Sequence, residues 1–398
     1  MSKLSIVIPA YNEVDHIDSV VNSLLSIQEQ IKEETGLEGV EIVAVDDGST
    51  DGTSEKLHAL SKRAGNRLRL VSHVENSGYG AALKSGFAAS TGEYLSFMDA
   101  DGTLAPLSFI TMYQALREAN ADMVIGSRFD NRSSEMPFIR KLGNRFFATL
   151  LSFLSGEKVR DTASGIRLFR REILSQLSPL PDGLHFTPAM SSRAVHEKLK
   201  IVEVPIPYAE RKGDSKLRIT SDGIRFLKTI IGTVLMYNPF KVFLLVGLLF
   251  ELMAAGLVSV PLYSFLSNEP IRFSDYIYRS IGAMYFFTAG IQIILFGILA
   301  RFIVSTFFKR HESGKVIHKL NHLLHVYDWI GYYGLAVLGI GAFINALYYW
   351  KYFFGGRLEL HWVWLLFAAG FIIVGIQMTI TGIVIRILKD IRAAKNFR

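Results

Sequence analysis

Half of the 398 residues are hydrophobic, 20% are charged and the mean hydropathy is +0.28, too apolar for an ordinary soluble enzyme and too charged for a pure transporter. A formal charge of +7 and a pI near 9.3 suit anionic lipid headgroups or phosphorylated substrates as well as nucleic acid; no nucleic-acid motif stands out, which favours the membrane. Cysteine is absent, which excludes disulfides and thiol chemistry.

The apolar content is segregated. Up to about Asn238 the sequence is that of a globular protein, whereas Pro239 to Lys389 holds four long apolar runs and all four tryptophans. No secretory signal is read, because Met1-Ser2-Lys3 leads directly into a strand-like segment, and the N-terminal domain is expected to stay in the cytoplasm.

Leu4–Ile8 is predicted as the first strand, with Pro9-Ala-Tyr-Asn-Glu13 as the loop at its carboxyl end. The spacing of Ile17, Val20, Val21, Leu24 and Leu25 predicts a helix over His16–Lys32. Val40–Val45 is the second strand, running into Asp46-Asp-Gly-Ser-Thr-Asp-Gly-Thr53, and Arg67–Ser72 the third. Asn76-Ser-Gly-Tyr-Gly80 reads as a flexible turn before a helix over Ala81–Ala89. Glu93–Met98 is a short, large-apolar strand that delivers Asp99-Ala-Asp-Gly-Thr103. Carboxylates at i and i+2 leaving a strand can point at one hard cation, and Gly102 lets the backbone turn; the plainer alternative is an ordinary strand-to-turn junction. Asp122–Ser127 is a further strand, leaving Arg128 at its end. Strands alternating with helices argue a mostly parallel, doubly wound α/β sheet, in which ligands sit at the carboxyl edge.

Two later stretches are amphipathic and unusually apolar. Pro137–Leu154 mixes Phe138, Ile139, Leu142, Phe146 and Phe153 with Arg140, Lys141 and Arg145; Leu217–Leu235 mixes Ile224, Phe226 and Ile230 with Arg218, Arg225 and Lys228. Apolar residues with interspersed bases suit helices lying in a membrane interface, against the alternative of a pair of core helices. The apolar runs Pro239–Phe265, Ile281–Phe308, Tyr327–Trp350 and Val363–Ile387 each exceed the ~20 residues a bilayer needs. Lys309, Arg310, Lys315 and Lys319 between the second and third runs, and Arg386, Lys389, Arg392, Lys395 and Arg398 in the tail, outweigh the bases of the other loops. The positive-inside rule then puts both termini in the cytoplasm, with Trp350, Trp362 and Trp364 as an aromatic belt. The expected division is a cytoplasmic domain over 1–216, an interfacial helix over 217–238, an all-α four-span membrane domain over 239–388 and a basic tail over 389–398. Glu251, near the middle of the first run, is either functional or a protonated group bonded to a neighbouring helix near Thr288 or Gln292; the second reading is preferred.

The chain resembles the family 2 glycosyltransferases, and more closely their polyprenyl-phosphate branch, the dolichyl-phosphate mannose and glucose synthases. The resemblance rests on Ile6-Val-Ile-Pro-Ala-Tyr-Asn-Glu13, Val45-Asp-Asp-Gly-Ser-Thr-Asp-Gly-Thr53, Asn76-Ser-Gly-Tyr-Gly80 and Met98-Asp-Ala-Asp101, then Gly126-Ser-Arg-Phe129, Asp161-Thr-Ala-Ser-Gly-Ile-Arg167 and Arg211-Lys-Gly-Asp-Ser-Lys-Leu217. As an ordered set over roughly residues 4–235 these motifs are specific. The resemblance implies a glycosyltransferase A-type fold. Pro9, Tyr11, Glu13, Asp47, Asp99, Ala100 and Asp101 would bind the nucleotide sugar, GDP-mannose or UDP-glucose, with Asp47 accepting from the base. Asp99 and Asp101 would meet the ribose and a Mg²⁺ or Mn²⁺ ion on the diphosphate, Asp101 and Arg128 forming the catalytic pair. Arg128, Arg140, Arg211 and Lys216 would bind the phosphate of dolichyl or polyprenyl phosphate. Thr103 stands where mannosyl-lipid synthases often carry a metal-holding Gln, a departure that leaves the metal set and the sugar open.

The implied activity is inverting transfer of a hexose, mannose or glucose, to the lipid phosphate at the cytoplasmic face of a cell membrane crossed several times; a homo-oligomer is compatible with it. No general base stands out and none is required, since a phosphate monoester is already ionised; His185 and His196 are read as lying on or near a helix surface over Leu184–Lys198. Two alternatives are weighed. A polysaccharide synthase of the same fold would usually carry Gln-x-x-Arg-Trp, and no tryptophan precedes Trp329. A lipid-linked-sugar transporter with a binding-only soluble domain sits poorly with an intact Asp-x-Asp.

Overall fold

In the computed structural model, which describes residues 2–129, 138–209, 219–267, 277–307, 326–354 and 363–396, β1 (Lys3–Ala10) sends Ile6 and Ile8 into one hydrophobic layer and Val7 into the other. That is the two-residue period of a central strand buried on both faces. Around it lie β2 (Gly39–Asp46), β3 (Leu68–Ser72), β4 (Tyr94–Met98), β5 (Met123–Ser127), β6 (Ile166–Arg170) and β7 (Ile201–Pro205), in the order β3-β2-β1-β4-β6-β5-β7. Every pairing is parallel except those of β6, which runs antiparallel to both β4 and β5.

One face of the sheet is covered by α1 (Ile17–Thr35), α2 (Thr53–Ala64) and α4 (Ser108–Glu118), through Leu24, Leu57, Phe109 and Met112. The other is covered by α3 (Tyr79–Ala89), α6 (Leu174–Leu177) and α7 (Phe186–His196), whose Phe87 and Phe186 pack with Phe97 and Phe169 of the sheet. Helices on both faces of a mostly parallel sheet make the expected doubly wound α/β architecture. The sequence reading of α7 is corrected: all its residues are buried, and His196 is a core residue rather than a surface one. His185 stands at the N-cap, half-buried.

Two further helices belong to the same region. α5 (Phe138–Ser155) buries Asn144, Ala148, Leu151 and Leu154 but leaves Phe138, Ile139, Leu142, Phe146 and Phe153 exposed. α8 (Ile219–Tyr237) buries Phe226, Ile230 and Val234, exposes Ile224, and meets α5 through an edge-on contact of Phe226 with Phe147.

The chain separates into two compact units, Met1–Thr233 and Val234–Arg398. The second holds α9 (Pro239–Leu266), α10 (Ile277–Phe307), α11 (Val326–Phe353) and α12 (Val363–Asn396), four helices long and apolar enough to cross a membrane. Small residues let their backbones approach: Gly247 and Gly290 seat α9 against α10, Gly334 and Gly375 seat α11 against α12, and Gly370 of α12 rests on Met284 of α10. Glu251 lies against Gly290, and its Oε1 is buried without a hydrogen-bond partner among the described residues. The Thr288 hydroxyl donates to the carbonyls of Met284 and Tyr285 in its own helix.

Candidate active site

The carboxyl ends of β2, β1 and β4, neighbours in the sheet, open into a cavity of ≈ 510 Å³. Pro9, Tyr11, Glu13, Asp47, Asp99, Ala100 and Asp101, the residues read from the sequence as a donor set, all line it. The loops are laced together: Asn12 N–H donates to Ser49 Oγ at 3.0 Å, Thr50 N–H to Asn12 Oδ1 at 2.8 Å and Glu13 N–H to Thr53 Oγ1 at 2.9 Å.

Three carboxylates in the wall, Asp99, Asp101 and Asp47, are held by hydrogen bonds. The Tyr79 hydroxyl donates to Asp99 Oδ1 at 2.7 Å, and a side chain at Gly165 would overlap the Asp99 carboxylate, so only glycine permits that approach. Burial, and then the Asp99 charge, lift the Tyr79 hydroxyl well above its ordinary pKa, keeping it a proton donor. Asp101 Oδ1 accepts from the Thr103 hydroxyl at 2.7 Å and from Thr103 N–H at 3.2 Å. Thr103 thus orients Asp101. Asp47 accepts from Ser77 N–H at 2.9 Å, Gly78 N–H at 2.8 Å and His73 Nδ1 at 2.6 Å.

Arg128 and Arg140 line the same cavity beside Ile139, Phe147, Leu184, Tyr208 and Phe226, so cations and apolar surface share one wall. Arg128 makes a two-point contact with the fully buried Asp161, Nε to Oδ2 and Nη2 to Oδ1, each 2.8 Å, and lies 5.6 Å over the Tyr208 ring. Asn144 of α5 also donates to Asp161, at 2.6 Å, and accepts from Thr162 Oγ1 at 2.9 Å. Burial alone pushes Asp161 up, but Arg128 and the hydrogen bonds override it and hold the carboxyl below its usual range. Arg128 is held above its usual range: burial opposes the charge, and Asp161 more than offsets that. Behind them Arg167 is wholly buried; burial pushes it down to about 10, and of its guanidinium only Nη2 is hydrogen-bonded among the described residues, to the Thr162 carbonyl.

The Glycosyl transferase family 2 profile matches residues 5–178, and a domain of unknown function, DUF8752, matches residues 239–396. The chain is 32% identical over 228 residues to the dolichyl-phosphate hexose transferase of Haloferax volcanii, covering 57% of this chain and 92% of that one. The chain belongs to glycosyl transferase family 2, in its polyprenyl-phosphate branch. Two other relatives agree. The polyprenol monophosphomannose synthase of Mycolicibacterium smegmatis is 32% identical over 221 residues, covering 53% of this chain and 80% of that one. The dolichyl-phosphate β-glucosyltransferase of Saccharomyces cerevisiae is 29% identical over 248 residues, covering 57% and 73%.

For this polyprenyl-phosphate glycosyltransferase the structure brings the predicted donor residues and Arg128 and Arg140 into one cavity; Arg211 and Lys216 lie outside the described residues. No group of three or more His, Cys, Asp or Glu side chains suited to a metal occurs among the described residues. Two hard carboxylates, held by Tyr79 and Thr103 on one cavity wall, nonetheless suit a cation whose other positions are filled by diphosphate oxygens and water. Sequence reasoning missed Tyr79, His73 and Asp161 as partners of site residues. Tyr79 and Asp161 stand inside quoted motifs, which was a usable signal; His73 carries none.

Proposed function

We propose that this polyprenyl-phosphate glycosyltransferase moves a hexose, mannose or glucose, from a nucleotide sugar to dolichyl or polyprenyl phosphate at the cytoplasmic face of the membrane, inverting the anomeric centre. The observation that carries this reading is a single cavity with carboxylates at the edge of β1, β2 and β4 and with Arg128 and Arg140 beside an apolar wall. In this reading Pro9, Tyr11, Glu13, Asp47 and Ala100 hold the nucleotide. Asp99 and Asp101 would hold Mg²⁺ or Mn²⁺, which when bound neutralises charge developing on the departing diphosphate.

Arg140, and the edge of Arg128 not engaged by Asp161, orient the lipid phosphate. One of its oxygens attacks the anomeric carbon while the bond from that carbon to the diphosphate oxygen breaks on the opposite side. A phosphate monoester needs no base, so positioning and charge neutralisation supply the catalysis. The exposed apolar face of α5 and the apolar residues of α8 support placing both helices at the headgroup level, where the acceptor phosphate arrives. The four long helices then anchor the enzyme as a multi-pass protein with both termini cytoplasmic, as the loop charges favour.

The test is to incubate the purified full chain with dolichyl phosphate and a panel of GDP- and UDP-sugars in the presence of Mg²⁺ or Mn²⁺. Formation of a lipid-phosphate hexose from one donor is expected. No transfer from any donor would sink the proposal.

A further inference from the structure

Asp47 directly follows β2, is 2% exposed and contributes to the cavity wall. A carboxylate offers about four lone-pair positions on its two oxygens. Oδ1 accepts from Ser77 N–H and from His73 Nδ1, and Oδ2 from Gly78 N–H, so three are taken. An ionised carboxylate only accepts, which puts a proton on His73 Nδ1; the ring is fixed on its far side by Ser85 Oγ, 2.8 Å from Nε2.

The two backbone donors cannot easily withdraw. Gly48 has φ +69°, and a Cβ there would lie 2.5 Å from the Glu75 carbonyl carbon, so the loop is packed down on the β2 turn. Beyond it Gly80 N–H and Ala81 N–H donate to the Asp182 carbonyl at 2.6 and 3.1 Å, pinning the start of α3. His73 is the donor that a side-chain rotation can remove.

We propose that His73 is the specificity-determining residue of the nucleobase site. By occupying Oδ1 it leaves Asp47 one acceptor position, on Oδ2. That position suits a base edge presenting a single N–H between two carbonyls, as uracil does. Guanine presents adjacent N1–H and N2–H donors, and would either leave one unpaired in a buried site or displace His73 from Asp47. The donor selected is therefore a uridine rather than a guanosine diphosphate sugar. This inference rests on the reading above that Asp47 faces the base.

The experiment is calorimetric titration of the full chain in detergent with UDP and with GDP, in Mg²⁺. UDP is expected to bind about tenfold more tightly or better, the size of effect one unpaired buried donor produces. In His73→Ala the freed Oδ1 accepts the second guanine donor, and the two affinities should converge to within about threefold. His73→Asn places an N–H near where Nδ1 stands and should keep the preference. Equal or tighter GDP binding by the wild type overturns the proposal, as does an undiminished preference in His73→Ala. If His73→Ala does not fold, the wild-type pair of titrations and His73→Asn still decide. Binding of neither nucleotide would overturn the donor reading of the whole cavity, a result distinct from a preference for GDP.

Discussion

Arg128 and Asp161 grip each other through parallel contacts of 2.8 Å, Nε to Oδ2 and Nη2 to Oδ1, with the carboxylate fully buried. Asp161 therefore neutralises much of the arginine's charge and sets the direction in which its remaining edge faces. Asp161→Asn keeps the shape but leaves a buried cation unpaired, a loss of about 3–5 kcal/mol by analogy with other broken buried pairs. The expected outcome is a lower Tm in detergent, together with weaker use of the lipid phosphate.

The same pair has a pH signature. The folded-state pKa of Asp161 lies below its ordinary value, so its contribution is present above the unfolded pKa of ~3.9 and is lost as pH falls through the lower folded value. Wild-type Tm should fall on acidification below about pH 4. Asp161→Asn, already without the charge, should lose less over that interval. Equal acid slopes for the two proteins would remove Asp161 from the account.

Asp101→Asn removes the charge proposed to hold the cation, and transfer should drop by orders of magnitude while the melting profile stays near wild type. Thr103→Val tests the orienting contact: it removes the 2.7 Å hydroxyl donor without touching the carboxylate. Loss of that hydrogen bond to a charged group is worth about 1.5–3 kcal/mol. The metal concentration needed for half-maximal activity should therefore rise. Full activity of wild type in excess chelator would exclude a metal role.

Tyr79→Phe deletes the hydroxyl that holds Asp99 and little else, since the ring keeps its edge-on contact with Phe186. Affinity for the nucleotide diphosphate should fall about tenfold, with lipid dependence unchanged. The readout is calorimetry beside a steady-state lipid titration.

Arg140→Ala is expected to do the reverse, raising KM for dolichyl phosphate while nucleotide binding stays near wild type. Its counterpart in the undescribed segment, Lys216→Ala, should behave in the same way. Lost nucleotide affinity with unaltered lipid dependence in both would move these cations to the donor side.

Anomeric configuration checks the single-displacement mechanism. An α-linked donor should give a β-linked lipid phosphate, measured by coupling constants. An α product would require a covalent sugar intermediate and another mechanism.

The carboxylate edge of the cavity was legible because its signals are local: a short apolar strand, then Asp99 and Asp101 two residues apart, is visible without knowing any partner. The first five strands were legible for the same reason. β6 was not, because Arg167 interrupts its apolar pattern and is buried through tertiary packing alone. Nor was the contact of Thr103 with Asp101: the sequence left the metal set open at Thr103, and its hydroxyl is hydrogen-bonded to the neighbouring carboxylate. His73 meets Asp47 across 26 residues of sequence, and no period or motif in one chain announces such a pair. The burial of His196 escaped for a related reason: α7 buries its polar Thr187, Ser191, Ser192 and Arg193 as well, so polarity does not mark an outward face.

The outer face of α5 bears on how the catalytic half can be handled. Phe138, Ile139, Leu142, Phe146 and Phe153 are each more than half exposed, and they belong to the first compact unit, not to the four long helices. Cutting the chain at Thr233 would remove all four helices that, among the described residues, are long and apolar enough to cross a bilayer, and still leave a greasy ridge beside the cavity. Such a fragment should sediment with liposomes and precipitate when detergent is withdrawn. Solubilising it would take polar replacements along that ridge, and those replacements would sit next to the residues proposed to receive the lipid.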